Sequence, residues 1–286
     1  MKEAIVGLGE ILWDVFPQGK VLGGAPANFA YHVSQFGLNG YAVSAIGKDE
    51  LGAEIKQVLK EKKLKTLISE VDFPTGTVQV TLSGDGVPQY EICEGVAWDN
   101  IPFTDALKHL AQQTKAVCFG SLAQRNAISC ATIKSFLDEV PKDSMKIFDI
   151  NLRQHFYSRE LIKESLNKCT MLKINEEEIA ILTKMFGLSG QPESVVVKYL
   201  IQHFQIEMVV LTKGTEGSYV ITIDEMSYLP TPKVKVIDTV GAGDAFTGAF
   251  VASLLFGRNI REAHQTAVDL SAFVCTQRGA MPEYMR

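Results

Sequence analysis

The chain has 286 residues, 46% of them hydrophobic and 21% charged, which is ordinary for a folded protein and excludes disorder, collagen and coiled coil as global classes. Lys and Arg number 28 against 33 Asp and Glu, a formal net charge of -5, whereas a nucleic-acid binder carries a basic surplus, so nucleic acid is disfavoured as the main partner. The five cysteines (Cys93, Cys118, Cys130, Cys169 and Cys275) are odd in number, scattered and without a Cys-x-x-Cys, which argues against a disulfide framework or a zinc site and for a reduced, cytoplasmic protein.

Met1-Lys2-Glu3 runs directly into a strand-like segment, so no secretory signal is expected. No apolar run reaches the roughly 18 residues that a membrane helix needs. Ala4 to Leu8 reads as a buried strand, and Pro26 to Phe36 as a helix with Pro near its start and Gly37 past its end. Tyr41 to Ile46 reads as a strand and Leu51 to Lys63 as an amphipathic helix. Four later strands are expected at Ala116 to Phe119, Lys146 to Ile150, Met171 to Ile174 and Met208 to Leu211. Helices fit at Ile128 to Val140, Leu161 to Cys169, Glu176 to Phe186 and Ser194 to Phe204. This alternation implies an α/β fold with a mostly parallel sheet covered on both faces.

Two stretches break the rhythm. Thr77 to Leu82 and Gln89 to Cys93 alternate as strands do, with Gly84-Asp85-Gly86 as a turn between them, and Ile11 to Leu22 is equally non-helical. A small β-sheet lid made by about residues 11–22 and 75–95 is expected; an edge hairpin without a role fits the pattern as well. Towards the end, Gly214 and Gly217 bracket a turn before Tyr219 to Ile223, and long helices follow at Gly243 to Phe256 and Ile260 to Thr276. No Pro/Ser-rich linker divides residues 1–286, which therefore read as a single α/β domain.

Several signatures are missing. There is no Gly-x-x-x-x-Gly-Lys-Ser/Thr loop and no Gly-x-Ser-x-Gly elbow. Gly7-Leu8-Gly9 follows a strand, but Leu12 stands where a dinucleotide site needs its third glycine. The five histidines show no ligand-like spacing.

Two segments carry chemistry. Asp238-Thr239-Val240-Gly241-Ala242-Gly243-Asp244 opens an apolar helix, where small residues let main-chain N–H groups converge and the helix dipole adds positive potential. That suits a phosphate, and Asp244 beside it suits a general base. On these residues alone, a glycine-rich helix start with a dipole-favouring acid fits equally. Gly23-Gly24-Ala25-Pro26-Ala27-Asn28 combines a loop that a ligand can approach closely with a side chain that both donates and accepts; a tight turn before a helix fits it too.

Together these segments resemble both signatures of the ribokinase-like (PfkB) carbohydrate kinase family. The likeness runs the length of the chain, through Gly9-Glu10-x-x-x-Asp14, the Gly23–Asn28 loop, Gly47-Lys48-Asp49-x-x-Gly52 and Asp149-x-Asn151-x-Arg153. It continues with Asn175-x-x-Glu178, Thr212-Lys213-Gly214-x-x-Gly217, the Gly241–Asp244 loop and Gly279-Ala280. The opening segment and Asp-x-Asn-x-Arg look most like fructokinases. The resemblance implies a Rossmann-like core with a β lid, ATP and Mg²⁺ as co-substrate and cofactor, and a sugar as acceptor.

The resemblance also assigns roles. Asp244 matches the catalytic base, and Gly241, Ala242 and Gly243 the anion hole. Asp14, Gly23, Gly24 and Asn28 match sugar contacts, although Asp14 also reads as a turn-capping acid before Pro17. Arg153 matches a cation over phosphate or sugar; a surface salt bridge is the commoner use of an isolated Arg. Asn175 and Glu178 match a pair holding Mg²⁺ through water, and they also read as an ordinary helix start. Thr212, Lys213, Gly214, Gly217 and Gly279 match the nucleotide side. Asp238 matches a position linked to a monovalent cation, K⁺, in some members. The expected lid carries Gln79 and Tyr90 but no Lys or Arg cluster, which favours an unphosphorylated sugar. Kinases for ribose, 2-keto-3-deoxygluconate or a nucleoside are the near alternatives. A non-catalytic sugar-binding module is a distant one, because Asp244 and its loop are intact. Lid strands offer unpaired edges, which members of the family often join into a homodimer.

Overall fold

A computed structural model of the protein describes residues 3–82 and 88–284. The strands, in chain order, are β1 (Ala4–Leu8), β2 (Leu12–Phe16), β3 (Gly19–Gly23), β4 (Gly40–Gly47), β5 (Lys65–Val71), β6 (Thr77–Leu82) and β7 (Pro88–Ile92). They continue as β8 (Thr114–Phe119), β9 (Met145–Asp149), β10 (Met171–Asn175), β11 (Met208–Thr212), β12 (Ser218–Ile221) and β13 (Met226–Leu229). The helices are α1 (Ala25–Gln35), α2 (Glu50–Glu61), α3 (Asp105–Ala111), α4 (Ala127–Glu139) and α5 (Arg159–Lys168). After them come α6 (Glu176–Met185), α7 (Glu193–Phe204), α8 (Ala242–Leu255) and α9 (Ile260–Cys275).

Nine strands form one sheet in the order β13-β12-β11-β10-β9-β8-β1-β4-β5. From β11 to β5 every pairing is parallel, and β12 and β13 add an antiparallel edge. Parallel strands need crossovers, and these place helices on both faces. Alternating residues of the strands serve the two faces: Ile5 meets Phe29, Phe246 and Phe250, whereas Val6 and Leu8 meet Ile133, Phe136 and Leu137. Chain progression turns from one side of the sheet to the other between β1 and β8. In open α/β sheets the crevice beyond the carboxyl ends of the strands at such a switch point holds the ligand.

The expected strands and helices occur, each within a few residues of its expected ends. Three elements were not anticipated. β5 buries none of its residues fully, α3 spans only seven residues, and β13 alternates exposed and buried positions over only four residues, so none carries a strong signal.

A second sheet, β3-β2-β6-β7, stands over the carboxyl ends of the large one. It contains both non-helical stretches read from the sequence; the turn expected at Gly84-Asp85-Gly86 lies outside the described residues. Asp49 anchors its base. The Asp49 carboxylate caps α2 by accepting from Gly52 N–H at 2.8 Å, and it accepts from Thr75 N–H and Oγ1 just ahead of β6. The Gly47-Lys48-Asp49 motif is thus a joint between the two sheets.

Candidate active site

Five of the eight segments that the sequence singled out converge on one cavity of about 740 Å³ between the sheets. Leu12, Asp14, Val78 and Ile92 of the small sheet form its ceiling. Gly24 and Asn28 at the start of α1, Asn151 and Arg153 after β9, Lys173 and Asn175 on β10, and Gly241, Gly243 and Asp244 at the start of α8 form its floor and walls.

Local sequence explains each placement. Gly241 is the N-cap of α8 with φ 77, a left-handed conformation that favours glycine. A Cβ there would stand 2.6 Å from Ala280 Cα. Ala280 is held in turn because its carbonyl accepts from His32 Nε2–H at 2.9 Å while Tyr31 Oη donates to the Pro282 carbonyl. The N–H groups of Gly243 and Asp244 lie in the first helical turn, where no intrahelical acceptor exists, so they face the cavity with the positive end of the dipole. Asp238 clasps this loop: its Oδ1 accepts from Val240 N–H at 3.0 Å and its Oδ2 from Gly279 N–H at 3.1 Å.

Asp244 Oδ2 accepts a hydrogen bond from Asn28 Nδ2 at 2.7 Å. Burial and the nearby charge of Asp149 push its pKa up to about 6, against the pull of Asn28, Lys173 and Arg153. Asp14 sits inside β2 rather than capping a turn, which removes that reading. Gly23, its neighbour across the hairpin, leaves room for the carboxyl, since a Cβ there would lie 2.6 Å from Asp14 Oδ2. Burial raises Asp14 to about 6 despite Arg153.

Asn175 and Glu178 form a capping box at the start of α6. Asn175 Oδ1 accepts from Glu177 N–H and Glu178 N–H, both at 2.9 Å. Glu178 Oε1 accepts from Leu152 N–H at 3.0 Å and Oε2 from Asn175 N–H at 2.8 Å. The pair is a helix start, as one reading had it, and at the same time a wall of the cavity. Among the described residues no group of three or more His, Cys, Asp or Glu side chains could hold a metal ion.

Two lining residues, Glu10 and Lys173, and Asp149 beside them, were quoted in motifs or passed over without a role. Glu10 follows β1 and is 3% exposed. Asp149 ends β9 and faces Lys173 Nζ at 3.1 Å. Burial works against the charge of Lys173, but Asp149, Glu178 and Asp244 outweigh it and raise its pKa. The available signal was a lone lysine inside the otherwise apolar strand Met171-Leu172-Lys173-Ile174. Gly243 lies close to it: a Cβ there would be 3.2 Å from Lys173 Nζ.

Ala242, Thr212, Lys213, Gly214, Gly217, Gly279 and Asp238 are not among the residues lining this cavity. Thr212 is nonetheless the register partner of Asn175, so β11 ends beside the cavity wall. Lys213 Nζ pairs with Glu193 at 3.1 Å and with Glu216 at 3.8 Å. Gly217 passes against β13, and Gly279 is fixed by Asp238.

The comparisons with known proteins agree with this arrangement. The ATP-dependent 6-phosphofructokinase of Thermoanaerobacterium thermosaccharolyticum is 30% identical over 92% of this chain and 81% of its own length. The solved structure of an uncharacterized sugar kinase, PH1459, from Pyrococcus horikoshii superimposes with a TM-score of 0.84 at 26% identity, covering 97% of this chain and 93% of that one. A fructokinase from Vibrio cholerae O395, solved with fructose, ADP and calcium ion, gives a TM-score of 0.80 at 25% identity, over 98% and 95% of the two chains. A model described as "pfkB family carbohydrate kinase" matches residues 9–284. The family match spans nearly the whole chain, and the chain belongs to the pfkB family of carbohydrate kinases.

Proposed function

We propose that the protein transfers the γ-phosphoryl group of ATP to the 6-hydroxyl of fructose, giving fructose 6-phosphate and ADP. One observation carries the reading: the Asp244 carboxyl, oriented by Asn28, stands in the sugar-sized cavity beside the first-turn amides of α8. Asp244 takes the proton of the attacking hydroxyl while the hydroxyl oxygen bonds to phosphorus. The bond to the bridging oxygen breaks, and its electron pair leaves with ADP. The N–H groups of Gly241, Gly243 and Asp244 stabilise charge growing on the moving phosphoryl group, whereas that of Ala242, expected to share the task, is already donated to the Thr239 carbonyl at 3.3 Å. Arg153 and Lys173 add positive charge on the same side, and Asp14 accepts from sugar hydroxyls. Thr212, Lys213, Gly214, Gly217 and Gly279 carry the nucleotide beyond the end of β11. Closure of the small sheet excludes water, the competing acceptor.

Asn175 and Glu178 fit a hydrated Mg²⁺ held through its waters, because every oxygen of the pair already accepts from the main chain and keeps only spare lone pairs for the cavity. When bound, Mg²⁺ neutralises phosphate charge. Asp238 fits a K⁺ site less well, since both its oxygens are used in the loop clasp.

The acceptor preference rests on the ceiling. Strands β2, β3, β6 and β7 and the turn between them contain one cation, Lys20, which pairs with Glu54 and lies over Trp13. An apolar ceiling with Asp14 in it repels a phosphorylated sugar. The open edges of β3 and β7 suit pairing with a second copy of the chain. The five free cysteines suit a reducing, cytoplasmic location. Measuring ADP release from ATP and Mg²⁺ with fructose, fructose 6-phosphate, ribose and 2-keto-3-deoxygluconate tests the reading. Fructose is expected to lead, and Asp244→Asn to lower turnover by roughly 10²–10⁴-fold with nucleotide affinity retained. Preference for fructose 6-phosphate would overturn the acceptor, and undiminished turnover of the variant would overturn the base.

A further inference from the structure

Behind the sugar cavity lies a much smaller chamber, with about 10 Å³ for the centre of a water molecule. That is room for one water. Three carboxyl side chains line it, Glu10, Asp149 and Asp244, together with Asn151, Cys118 and the apolar Ala25, Pro26, Phe29 and Phe119. Each acid has a different situation. Asp149 is committed to Lys173. Asp244 is oriented by Asn28. Glu10 is 3% exposed, and its Oε2 is buried with no hydrogen-bond partner among the described residues.

A buried carboxylate oxygen without a donor is costly, whereas a carboxylic acid needs only an acceptor for its proton. We propose that Glu10 is a proton-holding partner of Asp244: as a neutral acid it donates to a single water enclosed between them, and so leaves Asp244 ionised and free to accept the sugar proton.

The surroundings agree. The charged groups around Glu10 are Asp244 from α8, Asp149 from β9 and Arg153 from the turn after β9, with the neutral thiol of Cys118 from β8 and the committed Lys173 from β10 nearby. Burial raises Glu10 to about 7, and Asp244 adds to this more than Arg153 subtracts. The chamber's carboxyls titrate as a set, in which the proton retained on Glu10 spares Asp244 a second negative neighbour. During transfer the sugar proton moves to Asp244, and Glu10 keeps its own. Glu10 is thus a positioning residue that acts through Asp244.

The proposal rests on Asp244 being the base, so its test includes a readout that needs no turnover. Infrared difference spectra of the ligand-free protein, recorded across the neutral range, are expected to show a protonated-carboxyl band that titrates away near pH 7 and is lost in Glu10→Gln. The pH profile of kcat is expected to show a second inflection near neutrality besides its acid limb, and Glu10→Gln to keep the acid limb and lose that inflection. A band unchanged by Glu10→Gln, or a variant that keeps both inflections, would overturn the proposal. Should Glu10→Gln not fold, the Asp14→Asn, Asp244→Asn double variant decides it: persistence of a titrating protonated-carboxyl band, moved to lower pH because the Asp244 charge that helps hold the proton is gone, supports the proposal and its absence overturns it. If no sugar is phosphorylated at all, the base reading fails while the infrared result still judges Glu10.

Discussion

The Asn28 side chain donates to Asp244 Oδ2 at 2.7 Å, joining the first helix of the chain to the last glycine loop across 216 positions of sequence. Asn28 is 3% exposed, and its Oδ1, which has no hydrogen-bond partner among the described residues, is left as an acceptor beside the cavity. One side chain thereby orients the Asp244 carboxyl and, on the proposed reading, offers an acceptor to the sugar.

Asn28→Leu removes a hydrogen bond that favours the charged form of Asp244. The proton affinity of Asp244 then rises, and the acid limb of kcat moves to higher pH. A hydrogen bond to a charged group contributes about 1.5–3 kcal/mol, so turnover at neutral pH is expected to fall roughly ten- to a hundredfold. A pH–rate profile of the variant that overlies the wild type would disconnect the two residues.

Asp244 also links activity to stability. Its pKa is about 6 folded against 3.8 as a model group, so the folded state binds the proton more tightly. The stabilising contribution of protonation is complete below about pH 4 and is lost as pH rises through 6. Asp244→Asn therefore raises the unfolding free energy of the ligand-free protein at pH 7.5, read from urea unfolding, by up to about 3 kcal/mol before solvent screening, and the gain shrinks towards pH 4. His32 and His264, both lowered by burial to about 4, act in the opposite sense, since their contribution is present above pH 6.5 and lost towards pH 4. They are unchanged in the variant and cancel in the comparison. An Asp244→Asn protein no more stable than the wild type at pH 7.5 would contradict a strained, buried base.

Much of this was legible in the sequence because the strongest signals coincide with strong physics. Buried parallel strands are continuous apolar runs, so β1, β8, β9, β10 and β11 were legible, and the glycine loops mark where main chain must approach something closely. Asp14, Asn28, Arg153 and Asp244 converge as the motifs implied. For Asn175 and Glu178 the sequence offered a helix start and a site pair as alternatives, and it could not say that the two coincide, because a capping box and a cavity wall require the same residues. Glu10 and Lys173 were missed as site residues for a related reason. Their importance lies in which other buried charges they face, and that depends on three strands meeting side by side, not on local spacing.

Gly241 tests the loop itself. Gly241→Ala places a side chain in the left-handed region, which costs about 1–2 kcal/mol, and drives its Cβ to within 2.6 Å of Ala280 Cα. The first-turn amides must then move away from where phosphate charge develops. Turnover is expected to fall at least about tenfold, more than sugar affinity does, because the loss falls on the transition state. Adding Ala280→Gly, which removes one of the two obstructing carbons, is expected to restore part of the turnover. Full activity of Gly241→Ala would show that the loop does not contact the moving group.

Arg125 tests how the ceiling is held in place. Its guanidinium makes a two-pronged contact with Asp99, Nε to Oδ1 at 2.7 Å and Nη2 to Oδ2 at 2.8 Å, and Nη2 also donates to the carbonyl of Cys93, the residue after β7. It lies 4.0 Å from the Trp98 ring and 4.5 Å from the Phe156 ring, and both members of the ion pair are almost wholly buried. Arg125→Met keeps the packing but leaves Asp99 charged without its partner, which costs about 3–5 kcal/mol. Asp99→Asn in the same background removes the stranded charge and is expected to recover part of that loss. Because Cys93 anchors the end of the ceiling strand, sugar KM is expected to rise in Arg125→Met, with a smaller change in the KM for ATP. Thermal unfolding together with the two KM values checks the claim. A stable variant with unaltered sugar KM would show that β7 is held by its own pairing with β6 and owes nothing to the buried pair beneath it.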